Sequence, residues 1–185
     1  MEKRLFVGIG IENRQVLETN VAAIKKLFLE PTIKWTPTEN MHVTLKFLGD
    51  TEESHIHSIE LALESAAQFS SAFELKIKDF GVFPNAKMPR VVYAGVNKTD
   101  ELKGLHQAID QLLKTVGYKA EKQAYVPHVT VGRAKFVTNA KKLEQILISQ
   151  AFETAPFTVE YFSLYESILT PKATVYNELQ RFYLV

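Results

Sequence analysis

Apolar and polar residues fall along this chain in blocks that read as strand, helix, strand. RLFVGIGI (4–11) is a nearly continuous β-like run. Residues 13–29 then set Val16, Asn20, Ala23, Ile24, Leu27 and Phe28 near one side of a helix. EPTIKWTPTEN (30–40), with two prolines, is expected to be a loop delivering the chain to a strand over 42–48. A second helix is predicted over 51–69, with Ile56, Ile59, Leu63, Ala66 and Ala67 on its buried side. Acidic residues stand at its start, where the helix dipole favours them. AFELKIKDFGVF (72–83) alternates, FPNAKMPR turns, and VVYAGV (91–96) completes a hairpin.

From residue 100 the same grammar repeats: a helix over 100–116, a strand over 125–133, a helix over 139–150, then two long strands, FTVEYFSLYESIL and TVYNELQRFYLV. The repetition extends to a tetrapeptide. HVTL (42–45) and HVTV (128–131) each open a strand behind a turn, and 86 residues (128 − 42), close to half the chain, separate them. The spacing points to a duplication. The expected architecture is one α+β domain over 1–185, bilobal and pseudo-two-fold, with two antiparallel sheets facing each other across a cleft.

A chain of 185 residues with 46% apolar content can bury a real core. Lys plus Arg number 22 against 21 for Asp plus Glu, so a nucleic-acid partner has to be held by a local site and not by a broad basic surface. With no cysteine, disulfides, thiolate metal sites and a Cys nucleophile are excluded. That fits a reducing compartment, and the cytoplasm is the expected location. The apolar run near the amino terminus is short and broken by Glu12 and Asn13, and no stretch approaches transmembrane length, so no membrane partner is expected. FVGIGIEN lacks the third glycine of a phosphate-cradling loop, which disfavours a nucleoside-triphosphate enzyme.

Side chains alternate across a strand, so His42 and Thr44 share one face while Val43 and Leu45 take the other, and His128 and Thr130 likewise oppose Val129 and Val131. Helices cover the apolar face, which leaves the His/Thr face to the cleft. Two imidazoles and two hydroxyls in one space suit displacement at phosphorus. One histidine takes a proton from water, the other gives one to the leaving alkoxide, and each Thr donates to a non-bridging oxygen. Arg133 offers a fixed cationic fork for the same oxygens. By strict alternation it points away from His128, so it has to act from the strand end or through a bulge near Gly132. Lys46 is expected on the His42 face, snorkelling to solvent. His55, His57 and His106 are expected on helix surfaces. Neither motif has the companion ligands of a metal site, and no metal or other cofactor is expected.

ENMHVTLKFLGD and YVPHVTVGR, together with RLFVGI, FPNAKMPRVVYAGV and FSLYESIL, resemble the 2H phosphoesterase superfamily over nearly the whole chain. The likeness is strongest to the bacterial and archaeal RNA 2′,3′-cyclic phosphodiesterases, also called 2′-5′ RNA ligases. The resemblance implies a bilobal fold with helices outside both sheets and metal-independent hydrolysis of RNA or nucleoside 2′,3′-cyclic phosphates to 2′-phosphomonoesters. It further implies His42 as proton donor, His128 as proton acceptor, and Thr44, Thr130 and Arg133 as substrate-binding residues. The order of donor and acceptor comes from the resemblance alone, because two histidines facing one phosphate look interchangeable in sequence. RNA ends or nucleotides bearing a cyclic phosphate are the expected partners, met by a monomer. Some relatives carry a base-stacking aromatic on the first strand, where Val7 stands here, leaving Phe6 or Tyr125 to serve. Two other readings stay open: a nucleotide- or RNA-binding module with little catalysis, and a phosphodiesterase for another small cyclic phosphate such as ADP-ribose 1″,2″-cyclic phosphate.

Overall fold

The expected succession of strands and helices is present in the computed structural model, which describes every residue except Asn13, Pro31, Lys172 and Ala173. In chain order the elements are β1 (Glu2–Gly10), α1 (Gln15–Leu27), β2 (Ile33–Trp35), β3 (His42–Glu52), α2 (Ile56–Gln68), β4 (Phe73–Leu75), β5 (Ile77–Phe83), β6 (Val91–Val96), α3 (Asp100–Thr115), β7 (His128–Ala134), α4 (Ala140–Ser149), β8 (Phe157–Val159), β9 (Tyr161–Leu169) and β10 (Thr174–Tyr183). Several boundaries differ from expectation. The supposed loop 30–40 contains β2, while the expected helix start at Asn13 and the loop residue Pro31 lie outside the described residues. Strand β3 runs on to Glu52, so the acidic residues expected to open α2 belong to the strand end and a 3₁₀ turn, Glu53–His55. The second motif opens β7 at His128 itself; residues 125–127 approach without joining a ladder.

The strands form two antiparallel sheets. The larger has the order β10-β9-β1-β3-β7-β6-β5, with β2 added to β7, and the smaller pairs β4 with β8. The runs 72–83 and 157–169 are therefore each divided between the two sheets. The large sheet narrows at its middle. β1 and β3 pair from Glu2↔Glu52 to Gly10↔His42, but β3 meets β7 at the single pair Val43↔Val129. The narrowing separates a lobe of β10, β9, β1 and β3 from one of β7, β6, β5 and β2.

Helices cover one face. α2 packs on β10 and on α3, α3 on β3, and α4 on β5 and α1. Each presents an apolar stripe at helical spacing: Leu17, Val21 and Ile24 on α1, and Leu102, Leu105, Ile109 and Leu113 on α3. The face expected for α1 is corrected, because Val16 and Leu27 are exposed and the stripe passes through Leu17 and Val21. Polar caps fix two helix starts, with Thr99 Oγ1 accepting from Leu102 N–H at 3.1 Å and Asn139 Oδ1 from Lys142 N–H at 2.9 Å.

The lobes repeat each other residue by residue around the narrowing. In one, Gly10, Ile9 and Gly8 stand opposite His42, Val43 and Thr44, and after a bulge Val7 and Phe6 oppose Lys46 and Phe47. In the other, Gly95, Ala94 and Tyr93 oppose His128, Val129 and Thr130, and after a bulge Val92 and Val91 oppose Gly132 and Arg133. The next strand outward keeps the correspondence, with Tyr165 beside Phe6 and Phe83 beside Val91.

Candidate active site

Direct partners in an antiparallel ladder share a face. Val43 and Val129 are both fully buried under the helices. His42, Thr44, His128 and Thr130 consequently share the opposite face, all half-buried. Antiparallel pairing about Val43↔Val129 turns Thr44 toward His128 and His42 toward Thr130.

Both imidazoles are anchored alike. Nδ1 of His42 lies 2.7 Å from the Asn40 carbonyl, and Nδ1 of His128 lies 2.7 Å from the Val126 carbonyl, in each case the residue two before the histidine. A carbonyl only accepts, so each Nδ1 carries hydrogen and Nε2 is left for chemistry. At His42, Nε2 accepts from the Thr44 hydroxyl at 3.0 Å. The turn ahead of His42 is itself pinned, with Asn40 Nδ2 donating to the Thr174 carbonyl at 2.7 Å and Arg14 Nη1 to the Thr38 carbonyl at 3.0 Å.

Aromatic rings surround the pair. His42 lies 4.6 Å from the Phe6 ring and edge-on to Tyr176 at 5.2 Å, with Tyr165 at 6.4 Å. His128 meets Phe83 at 5.0 Å and Tyr93 at 5.5 Å, both edge-on. Two glycines make room for this packing. A Cβ on Gly8 would stand 3.1 Å from the Val43 carbonyl oxygen and 3.3 Å from the His42 ring, and one on Gly81 would strike Tyr93 at 2.5 Å.

Burial pushes His42 down to about 4, outweighing the Asn40 hydrogen bond, while charge on His128 and Arg133 pushes the same way. Burial likewise lowers His128 below the ordinary imidazole value, against the Val126 bond and with help from Arg133. Arg133 thus acts on both rings, and it also acts on the Tyr176 hydroxyl, which burial otherwise raises. Its place on this face comes from the bulge near Gly132. Register steps from Tyr93↔Thr130 to Val92↔Gly132, leaving Val131 as the extra residue and returning Arg133 to the side of Thr130.

The matching bulge in β3 overturns the expectation for Lys46. Leu45 is the extra residue there, so Lys46 pairs with the core residue Val7 and turns inward, 3% exposed. Its ammonium pairs with Asp110 of α3 and donates to the Lys119 carbonyl at 3.0 Å. His106 is a second correction: at 8% exposed it is buried, its ring flat on Tyr125. Phe6, 2% exposed, forms the floor beneath His42, out of reach of a ligand's base. The most exposed aromatic lining the cleft is Phe47, 65% exposed, beside the half-buried Tyr125 and Phe83, and it stands five residues after His42 as Arg133 stands five after His128. That shared offset was a signal in the sequence. Tyr176 gave none, since β10 has no counterpart in the other lobe.

A cleft of about 520 Å³ opens at the Thr44 and His128 side of this face, lined also by Phe47, Phe83 and Tyr125, while His42, Thr130 and Arg133 lie outside its lining. That volume lies within the range of small-ligand sites, about 300–1,000 Å³. Among the described residues no three His, Asp or Glu side chains converge as metal ligands, and no helix is long and apolar enough to cross a membrane.

Residues 15–169 match the 2'-5' RNA ligase superfamily. The chain is 34% identical over 178 residues to a protein of Methanocaldococcus jannaschii named RNA 2',3'-cyclic phosphodiesterase, spanning 96% of this chain and 98% of that one. It is 32% identical to the protein of the same name from Methanothermobacter thermautotrophicus, over the full length of both. Among solved structures, TT0787 of Thermus thermophilus superposes with a TM-score of 0.80 at 24% identity, over 98% of this chain and 97% of that one. E. coli LigT complexed with 3'-AMP follows with a TM-score of 0.77 at 23% identity, over 100% of this chain and 99% of that one.

Proposed function

Because the chain belongs to the 2'-5' RNA ligase superfamily, we propose that it hydrolyses RNA or nucleoside 2′,3′-cyclic phosphates to 2′-phosphomonoesters, without metal, by proton transfer between His42 and His128. The observation that carries this reading is the Val43↔Val129 pairing, which sets two imidazoles with carbonyl-anchored Nδ1 atoms on one face of the narrowed sheet. The substrate class comes from the relatives' names. One chain supplies both histidines, so a single copy holds the whole pair, and the working unit we infer is a monomer, a single two-lobed domain acting on RNA ends in the cytoplasm.

A cyclic phosphate seated between the rings has its non-bridging oxygens within reach of the Thr44 and Thr130 hydroxyls and of Arg133. Water attacks phosphorus from the His128 side and gives its proton to Nε2 of that ring. The bond from phosphorus to O3′ breaks, and O3′ takes the proton from Nε2 of His42. The product is a 2′-phosphate and a free 3′-hydroxyl. Burial lowers both imidazoles below their ordinary value. A bound phosphate anion raises both rings, and the donor role of His42 follows the family resemblance.

The test is incubation with 2′,3′-cyclic nucleotides, cyclic-phosphate-ended RNA and 2′-5′ dinucleotides in EDTA, with products identified by phosphorus NMR. A single 2′-phosphate species is expected. An inert enzyme that binds these ligands would make it a binding module, and activity that EDTA abolishes and zinc or manganese restores would defeat the metal-free mechanism.

The pH dependence follows from the same groups. Turnover needs one ring protonated and the other neutral, while burial holds both below the ordinary imidazole value, His42 at about 4. kcat/KM, which reports the free enzyme, is expected to peak on the acid side of pH 6.5 and to fall as pH rises, since both rings are then neutral. The limb of kcat lies at higher pH, because the bound anion favours the charged imidazole. Initial rates across a pH series check both curves.

A further inference from the structure

The two stretches of chain that lead into the motifs reach across to opposite lobes. The one before His42 does so by backbone, since β2 pairs with β7 and Thr36 N–H donates to the Val131 carbonyl at 2.9 Å. The one before His128, residues 118–127, forms no strand. Side chains tie it to β3 instead: Lys46 Nζ donates to the Lys119 carbonyl at 3.0 Å, and the Tyr125 hydroxyl donates to the Thr44 carbonyl at 3.0 Å. The residue at the matching distance before His42 is Glu39, an exposed side chain.

Tyr125 is well supported for holding Thr44. Its ring lies flat on His106 of α3, centroids 3.9 Å apart and planes 9° apart. Burial pushes its phenol well above the usual tyrosine range, with Glu121 adding to the effect, so the hydroxyl remains a donor. On one side of the ring lies the cleft with Thr44 and His128, and on the other a cavity of about 540 Å³ bounded by α3, including His106 and Asp110. Because β3 and β7 share only the Val43↔Val129 pair, little else in the ladder fixes where Thr44 stands relative to His128.

We propose that Tyr125 is a positioning residue of the two-histidine site, its hydroxyl holding the Thr44 carbonyl while its ring, seated on His106, sets the first motif against the second. The kinetic part of this inference rests on the phosphodiesterase reading; the geometric part does not. Displacements on the order of 1 Å cost up to about a hundredfold in rate, whereas removing a hydrogen bond that only steadies the fold would leave kcat unchanged.

Tyr125→Phe keeps the ring and its stacking and removes only the hydroxyl. Assayed on a 2′,3′-cyclic nucleotide well below its melting temperature, the variant is expected to lose about ten- to a hundredfold in kcat with KM within about twofold. In parallel, inorganic phosphate is titrated while the imidazole NMR signals of His42 and His128 are followed. In the unmodified protein both rings are expected to respond along one saturation curve, and in Tyr125→Phe that curve moves several-fold to higher phosphate. Unchanged kcat together with an unchanged phosphate curve overturns the proposal. If the unmodified protein turns over no cyclic phosphate yet both rings respond to phosphate and Tyr125→Phe weakens it, the phosphodiesterase reading fails and the positioning role stands. Should Tyr125→Phe not fold, His106→Leu withdraws the ring's seat and leaves the hydroxyl. A weaker loss in the same direction supports the proposal, and none overturns it.

Discussion

Alanine at either His42 or His128 is expected to lower kcat by roughly a hundred- to ten-thousandfold, the usual span for losing a general acid or base. On the proposed mechanism both rings serve one displacement, so the double variant is expected to be little worse than the worse single one. Binding of a cyclic nucleotide is expected to survive better than turnover, because Thr44, Thr130 and Arg133, the proposed phosphate contacts, remain. Single-turnover rates for the three variants check this, and full activity in either single variant would mean the rings do not share a reaction. The same variants separate donor from acceptor. With sulfur replacing the 3′ oxygen the leaving group needs no proton, so such a substrate is expected to rescue His42→Ala and leave His128→Ala inactive. The reverse pattern would assign the donor role to His128.

Asp110→Ala is expected to be the most destabilising of the variants considered, by about 3 kcal/mol in urea-induced unfolding, near the lower end for a buried charge stripped of its partner. Lys46 is 3% exposed and would keep only the Lys119 carbonyl. Lys46→Met is expected to cost less, because Asp110 is 18% exposed and still accepts from Glu121 N–H. Burial works against the Asp110 charge, but bonds from Lys46 and Glu121 outweigh it and hold the carboxyl below its ordinary value. With a lowered folded-state value, this contribution is present above the unfolded carboxyl range and disappears as pH falls through the folded one. The difference between Asp110→Ala and the unmodified protein should accordingly shrink in acid. Equal stability at neutral pH would mean that Lys46 finds solvent after all.

Period and repetition carried the sequence reading a long way. The two motifs, the burial of Val43 and Val129 and the helices expected over 51–69 and 100–116, which the fold places at 56–68 and 100–115, rest on two-residue and three-to-four-residue spacing. What escaped depended on register. Alternation counted from His42 puts Lys46 in the cleft, and only pairing with β1 reveals the extra residue at Leu45 that turns it inward. The short strand β2 was hidden between prolines because its three residues gain their ladder from β7, a hundred positions downstream. Asn40 and Val126 could not be singled out, since what they give the histidines is a backbone carbonyl that any residue possesses. Tyr176 reaches His42 only because the last strand of the chain returns beside the first lobe.

The bulges also bear on whether this site can be moved to another scaffold. On a regular strand HVTVGR would send its arginine to the face opposite the histidine, where an unpaired guanidinium costs several kcal/mol or forces the strand to slip. Shortening the hexapeptide at Val131 would keep histidine, threonine and arginine on one side, but would take from the core a side chain that is fully buried under the helices. Residues copied without the partner strand that enforces the irregularity therefore carry the chemistry's composition and lose its geometry. The smallest transferable unit is the strand pair, β6 with β7 or β1 with β3, including the unpartnered residue that follows each motif's threonine, Val131 or Leu45.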